Sequence, residues 1–349
     1  MNAPLNELLR QTSRTFQKTL RVLPRAVRAQ ISLAYLLART TDTIADTELV
    51  PVEQRLQALQ QLRERILGTS AAPLNFGELA RQQGSPAEGG LLERVEESLA
   101  ALRTLSANDL KLVRQVLDTI TSGQELDLRR FAGASAEKII ALQTDADLDD
   151  YTYRVAGCVG EFWTGICVAH LFHLVELDEF AMSSSFEQLG VRFGKGLQLV
   201  NILRDLPADL RRGRCYLPLT RLAEAGLQPA DLLSTAKEPK FRPLYHHYLD
   251  LAESHLAAGW LYTESIRWGQ IRIRLACAWP ILIGTETIRR LRGENVLDPA
   301  RRIKVSRAEV RGIVARSVFR YAWPAAWRRL FPPHDPAFWK AVASTARFK

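Results

Sequence analysis

The chain has 349 residues, 47% of them hydrophobic, which is enough for a sizeable buried core in one large domain or two ordinary ones. The net charge is +9, but residues 300–349 hold 12 of the 47 basic and two of the 38 acidic side chains, leaving 35 and 36 elsewhere. This concentration of charge at one end argues against a nucleic-acid-binding face across the molecule, and we predict no nucleic-acid partner.

Long stretches rich in Ala, Leu, Arg, Glu and Gln, with apolar residues at helical spacing, predict an all-α protein. The first residues lack the basic and apolar regions of a secretion signal, and no apolar run reaches the roughly 18 residues of a membrane span. We therefore expect a cytoplasmic protein. Four widely spaced cysteines without CxxC spacing fit reduced thiols: Cys158, Cys167, Cys215 and Cys277.

The first polar motif follows Pro24, which suits the first turn of a helix. In YLLARTTDTIADT, Asp42 and Asp46 are four residues apart, and Arg39 and Tyr35 lie one and two turns earlier. Upstream, Ser13 and Arg14 suit either a helix cap with a surface arginine or a pair of hydrogen-bond donors to a phosphate group.

The middle of the chain is mostly framework. Residues 51–122 predict amphipathic helices, and the acidic run DADLDD before Tyr151 suits a helix start. Small residues in the helix that follows leave one face bare, either for close helix packing or for a hydrocarbon groove: Ala156, Gly157, Gly160 and Gly165. His170 and His173 lack a third ligand at a metal-site spacing and are expected to be core or polar-contact residues.

The second polar motif is GKGLQLVNILRDLPADLRRGRCYLP, residues 194–218. Asn201, Asp205 and Asp209 recur every four residues and Gln198 lies three before Asn201, so in a helix all four share one face. Apolar neighbours predict that this face points toward a buried space, where carboxylates need a cation or a proton. Hard oxygen donors favour Mg²⁺, and nearby arginines would share phosphate charge: Arg204, Arg211, Arg212 and Arg214.

The alternative for one such motif is a solvated helix face with intrahelical salt bridges. The second copy of the spacing, at Asp42 and Asp46, favours metal binding instead. Two such helices facing each other across a cavity would hold magnesium ions and remove diphosphate.

Near the C-terminus, Phe319, Trp323, Trp327 and Phe331 recur every four residues among arginines. This pattern is typical of an interfacial helix, although a core helix is an equal alternative and Pro324 would kink or break it. We predict a basic, aromatic-rich extension over residues 311–349 that docks peripherally on a membrane surface, with docking residues between 300 and 340.

The ordered motifs SRTF (13–16), YLLAR with DTIAD (35–46), YTYRVAGCVG (151–160) and the second polar motif resemble the squalene/phytoene synthase family. The resemblance runs to about residue 310 and rests chiefly on Q-x-x-N-x-x-R-D-x-x-x-D. It implies an isoprenoid-synthase-type helical bundle around a central cavity, with one catalytic domain over residues 1–310. It also implies that two prenyl diphosphates, here farnesyl diphosphate, are joined head to head.

Carried over by position, the resemblance makes Asp42, Asp46, Asp205 and Asp209 magnesium ligands and Tyr151 the acceptor of a proton. Other residues would contact substrate phosphate or its metals: Ser13, Arg14, Tyr35, Arg39, Gln198, Asn201, Arg204 and Arg214.

The product depends on the branch of the family. The stretch LACAWPILIGTETIRRL followed by RRIKVSRAEV resembles the squalene-forming branch, which reduces presqualene diphosphate with NADPH to a sterol or hopanoid precursor. Lys304 and Arg307 would then bind the cofactor phosphates, or they belong simply to the positive tail. The chain has no GxGxxG motif. The alternatives are a phytoene or dehydrosqualene synthase without reductant, or a non-catalytic helical relative; no obligate protein partner is expected.

Overall fold

The computed structural model describes residues 3–12, 17–172, 184–298, 300–301 and 303–344. These residues form helices almost throughout, which confirms the all-α prediction. The helices are α1 (Ala3–Thr12), α2 (Gln17–Val22), α3 (Arg25–Ala45), α4 (Val52–Leu67), α5 (Gly77–Arg81), α6 (Pro86–Glu93), α7 (Val95–Leu102), α8 (Ala107–Arg130), α9 (Asp145–Thr152), α10 (Cys158–His170), α11 (Ser184–Arg211), α12 (Leu219–Glu224), α13 (Glu238–Ser265), α14 (Ile271–Gly293), α15 (Arg307–Arg320), α16 (Pro324–Arg328) and α17 (Pro336–Ser344).

Shorter elements join them. A π-helical turn, Tyr153–Gly157, connects α9 to α10, and two 3₁₀ turns precede α13 (Pro229–Leu233 and Thr235–Lys237). Strands β1 (Ile140–Ala141) and β2 (Arg214–Cys215) pair in parallel, with Ile140 opposite Arg214.

One compact unit comprises the described residues of Met1–Ala132 and Phe162–Glu176. In it, α3 packs against α4, α6, α7 and α8. Helix α3 begins directly after Pro24, whose fixed φ suits the start of a helix, and ends at Ala45, followed by Asp46 as C-cap. The buried face of α3, which includes Val27, Ile31 and Ile44, holds the acid-bearing end of the helix in place.

The second compact unit comprises the described residues of Gly133–Glu161 and Leu177–Lys349. Its long helix α11 packs along α13, and α14 packs on both. Glycines allow α11 to lie close to α10 and to the turn before it, because a Cβ at Gly160 would overlap the carbonyl oxygen of Gly190, and one at Gly194 that of Ala156. At these positions, the bare face seen in the sequence serves close helix packing.

The C-terminal aromatic residues divide into two sets. Trp327 and Phe331 are 0% and 2% exposed and both stack on Trp260, with ring centroids 5.5 and 5.7 Å away. Phe319 and Trp323 are 71% and 53% exposed. The sequence presented these four as one stripe, but they do not share one helix: α15 ends at Arg320, α16 spans Pro324–Arg328, and Phe331 follows it, so a single helical register does not relate their exposure.

Among the described helices, none combines the length and the apolar character that crossing a bilayer requires.

Candidate active site

The first acidic pair lies in the final turns of α3. The backbone N–H of Asp46 donates to the carbonyl of Asp42 at 2.8 Å, so the two acids are held one turn apart. Withdrawal from bulk water, together with the neighbouring Asp46 carboxylate, raises the pKa of Asp42 to about 6. The Asp42 side chain nevertheless keeps 46% of its surface exposed, so a solvated ion can reach it.

Polar partners from other helices fix this pair. The amide of Gln124, on α8, donates to Asp42 Oδ1 at 2.5 Å and lowers the pKa of Asp42, as does Arg39. Arg39 also donates to Glu88 Oε1 at 2.6 Å. Arg39, Asp46 and Glu88 line a pocket of about 230 Å³. Tyr35, two turns before Asp42, points its hydroxyl toward the carbonyl oxygen of Thr12 at 3.5 Å.

The second acidic pair lies near the end of α11. Arg204 donates to both oxygens of Asp205, at 2.8 and 2.5 Å. Asp205 has 48% of its side chain exposed, and Asn201 is also exposed. Gln198 and Asp209 are half-buried. The polar face predicted from the spacing is therefore present, but it is accessible to solvent rather than buried.

A glycine turn places Arg214 beside this motif. Gly213 has φ of +76°, where a side chain is strained, and an added Cβ would also overlap the backbone of Ser135. The N–H of Gly213 donates to the carbonyl of Leu210 at 2.9 Å and ends α11. The chain then enters β2, whose pairing with β1 holds Arg214 in position.

Tyr151 lies in the last turns of α9, directly before the π-helical turn. Its ring is 9% exposed and stacks on Tyr216, with centroids 4.6 Å apart and planes at 27°. The stacking fixes the phenol ring, since rotation would break the contact with Tyr216. π-Helical turns are rare and frequently mark functional sites.

The acidic run before Tyr151 has a structural role, as expected. Thr144 caps α9 in a capping box with Asp147, and Asp145 bonds to Arg221 at 2.6 Å and accepts from Tyr248 at 2.7 Å. His170 is a polar-contact residue, with Nε2 at 2.7 Å from Asp109.

Both acidic pairs occupy helix C-termini. The C-terminal end of a helix carries partial negative charge that acts within the last turn, so Asp42, Asp46 and Asp209 are each disfavoured there by about 0.3–1 kcal/mol. In α3 the effect adds to the mutual repulsion of Asp42 and Asp46. A bound cation would remove both penalties, and this is the physical reason to regard the pairs as cation sites.

The donor set fits Mg²⁺. Each pair offers carboxylate oxygens, and within the described ranges no three Asp, Glu, His or Cys side chains form a metal-binding group of their own. Mg²⁺ typically takes one or two carboxylates and completes its shell with water and phosphate oxygens. The residues therefore suit a metal that arrives with a diphosphate.

Lys304 and Arg307 flank the start of α15. Both side chains are exposed, and among the described residues neither forms an ion pair. Lys304 lines a pocket of about 300 Å³ with Arg290 and Arg301. Their charge and access fit the phosphate groups of a dinucleotide.

Ser13 and Arg14 lie outside the described residues, as does His173. The placement of the α3 acids opposite those of α11 stays a prediction, because each pair is described within its own unit. The sequence did not single out three partners: Gln124 and Glu88, which hold Asp42 and Arg39, and Tyr216, which stacks on Tyr151.

Comparison with known proteins agrees with the family resemblance. The family model described as squalene/phytoene synthase matches residues 9–309. The chain is 30% identical over 253 residues to the bifunctional lycopene cyclase/phytoene synthase of Gibberella fujikuroi, a match covering 70% of this chain and 40% of that longer protein. It is also 30% identical over 244 residues to the presqualene diphosphate synthase of Rhodopseudomonas palustris, covering 70% and 72%.

A solved ligand complex of TcSQS superposes on the chain with a TM-score of 0.73 at 20% identity, covering 98% of this chain and 96% of that one. The similarity extends over nearly the full length of both chains. The fold is thus the all-helical isoprenoid-synthase type.

Proposed function

The chain belongs to the squalene/phytoene synthase family, and from this membership we propose that it joins two molecules of farnesyl diphosphate head to head. The first product would be presqualene diphosphate, which the same enzyme would reduce with NADPH to squalene. The enzyme would work in the cytoplasm.

One observation carries the diphosphate assignment. Two pairs of carboxylates with four-residue spacing occupy the C-terminal turns of α3 and α11, each with an arginine bound to one of its acids. A non-catalytic relative would have no reason to keep these four acids, three of which lie where the helix dipole disfavours a negative charge. This chain has both acids of each pair, which favours an enzyme over a non-catalytic relative.

In the first half-reaction, diphosphate leaves an allylic carbon, and the negative charge that develops on it must be stabilised. Mg²⁺, when bound, would neutralise diphosphate charge and promote its departure. Asp42, Asp46, Asp205 and Asp209 would hold the metal. The substrate phosphate or its metals would be contacted by Ser13, Arg14, Tyr35, Arg39, Gln198, Asn201, Arg204 and Arg214.

The resulting allylic cation must meet the double bond of the second substrate before it meets water, so the surrounding pocket has to exclude solvent. Loss of one proton then closes the cyclopropane ring. Tyr151 would accept that proton, because its buried, stacked ring is an uncharged acceptor held in one orientation. Departing diphosphate would share the proton.

The second half-reaction, the reduction by NADPH, distinguishes the candidate products. Lys304 and Arg307 would bind the phosphates of NADPH, whose hydride would reach the carbocation formed by the second loss of diphosphate. The relatives at 30% identity include both a bifunctional lycopene cyclase/phytoene synthase and a presqualene diphosphate synthase, so identity alone does not select a product. A phytoene or dehydrosqualene synthase, which needs no reductant, is the second candidate.

The test is product analysis by mass spectrometry after incubation with farnesyl diphosphate and Mg²⁺, with and without NADPH. We expect presqualene diphosphate to accumulate without NADPH and squalene to form with it. The same product in both reactions would overturn the squalene assignment, and no product would support a non-catalytic relative.

The cofactor residues are tested in the same assay. The double variant Lys304→Ala/Arg307→Ala should make presqualene diphosphate at the parental rate but require roughly tenfold more NADPH for squalene, as expected when charged phosphate contacts are lost. Arg311→Ala, an exposed arginine on the same helix, is the matched control. Unchanged NADPH dependence in the double variant would remove these residues from the site.

A further inference from the structure

The junction between α15 and α16 exposes an apolar surface. Val318, Phe319 and Trp323, here named the aromatic patch, are 49%, 71% and 53% exposed. The Phe319 and Trp323 rings contact each other, with centroids 5.2 Å apart and planes tilted by 52°. Exposing two large aromatic rings to water costs free energy, so binding to a surface that covers them is favourable.

Neighbouring aromatic residues support the patch from below. Tyr321 and Trp327 are buried and lie against Trp268, and Tyr321 donates to the Trp268 carbonyl. Trp327 also donates to Glu264 at 2.5 Å. The exposed rings therefore stand on a rigid base, because the residues on either side of them are fixed to α13 and to the turn before α14.

Arginines lie next to the patch on the same helix. Arg316 and Arg320 line a groove of about 670 Å³ along α14 and α15. The acids of this groove already have partners: Glu286 pairs with Arg289 and Arg290, Glu309 with Arg290, and Glu253 with Arg292 and His334. Arg316 and Arg320 have no ion pair among the described residues, so their charge is available to an outside anion.

The charge of residues 310–334 indicates which kind of partner would bind the aromatic patch. Residues 310–334 contain five arginines and no acidic residue. Phe319 and Arg320 lie three and four residues after Arg316 in α15, so one face of this helix presents aromatic and cationic groups together. Trp and Phe prefer the interface between water and lipid, and arginines are attracted by anionic headgroups.

We propose that this surface docks the protein on anionic phospholipid membranes, with Phe319 and Trp323 entering the interface and Arg316 and Arg320 binding lipid phosphates. The aromatic residues of the C-terminal segment would thus have two separate roles. Trp327 and Phe331 attach it to the core, and the aromatic patch faces the bilayer.

Sedimentation of the full-length protein with vesicles tests the proposal, without substrate, so the result is independent of the reaction proposed above. Wild type should bind vesicles of phosphatidylglycerol and phosphatidylcholine, and pure phosphatidylcholine vesicles at least roughly tenfold more weakly. Phe319→Ser/Trp323→Ser should lose roughly tenfold in affinity for both vesicle types. Arg316→Glu/Arg320→Glu should lose the preference for the anionic vesicles.

Two matched controls use exposed residues elsewhere. Leu233→Ser removes another exposed apolar side chain, and Arg25→Glu/Arg103→Glu reverses two exposed arginines outside this segment. Both should bind as wild type does, and circular dichroism should show every variant folded.

Equal binding by wild type and the aromatic variant would overturn the proposal, as would equal binding to both vesicle types. Self-association of wild type in sedimentation velocity, abolished by Phe319→Ser/Trp323→Ser, would assign the patch to a protein interface and would also overturn it.

Discussion

At the scale of single residues, the environment of Asp42 connects the fold to its proposed chemistry. The protein raises the pKa of Asp42 to about 6, mainly by withdrawing it from water and by the repulsion of Asp46. A carboxyl group whose pKa is higher in the folded than in the unfolded state favours folding while it is protonated, and this contribution is lost when it ionises. Its stabilising contribution is therefore complete below about pH 4 and is lost as the pH rises through 6.

Asp42→Asn should consequently raise the melting temperature of the metal-free protein at pH 8, and the gain should vanish at pH 4. Added Mg²⁺ should stabilise wild type more than the variant, because only wild type has the full carboxylate pair. Thermal unfolding followed by circular dichroism measures both effects. A variant less stable than wild type at pH 8 without metal would show that the carboxylate is already compensated within the protein.

At the scale of elements, close approach of α11 to α10 and to the turn before it depends on glycine. In Gly160→Ala the new methyl group would meet the Gly190 carbonyl, and the helices would have to separate. We expect a loss of about 1–3 kcal/mol in the free energy of unfolding, as for other overpacked sites.

Denaturant unfolding measures this loss in the free energy of unfolding of Gly160→Ala. Gly312→Ala is the control, since Gly312 lies within α15 with open space around it and should gain about 0.5–1 kcal/mol in helix stability. Equal effects of the two substitutions would contradict the packing account.

The C-terminal aromatic residues differ in their contribution to stability. Trp327→Ala removes a fully buried indole, its stacking on Trp260 and its hydrogen bond to Glu264, and should cost about 3–5 kcal/mol. Phe319→Ala, at the exposed position, should stay within about 0.5 kcal/mol of wild type. Chemical denaturation compares the two; similar losses would mean that Phe319 is also part of the core.

At the scale of the whole molecule, the spacing of residues along the chain predicted those features of the site that depend on local helix geometry. The four-residue recurrence of Asp205 and Asp209, and of Asp42 and Asp46, placed each pair on one helix, as found in α11 and α3. Burial depends on distant residues, so the sequence could not separate Trp327 from Trp323. Gln124 and Glu88 were not found for the same reason: each lies among ordinary helix residues, and its role comes from a partner on another helix.

The same limit applies to the chemistry. The family motifs predict which residues would act on diphosphate, because these motifs are short patterns with fixed local spacing. The choice between squalene and phytoene stays a prediction, because it rests on the resemblance of residues 275–291 and 301–310 to one branch of the family and not on a local spacing rule.

The central claim is that both acidic pairs act together on one substrate diphosphate through Mg²⁺. The most direct measurement is the rate of diphosphate release from farnesyl diphosphate as Mg²⁺ is titrated, for wild type, Asp42→Asn, Asp205→Asn and the control Asp250→Asn, an exposed acid on α13. Either site variant should lose roughly 100-fold or more in rate, as expected when stabilisation of a developing anion is lost, while the control matches wild type. Parental rates in Asp42→Asn or Asp205→Asn at every Mg²⁺ concentration would contradict the account.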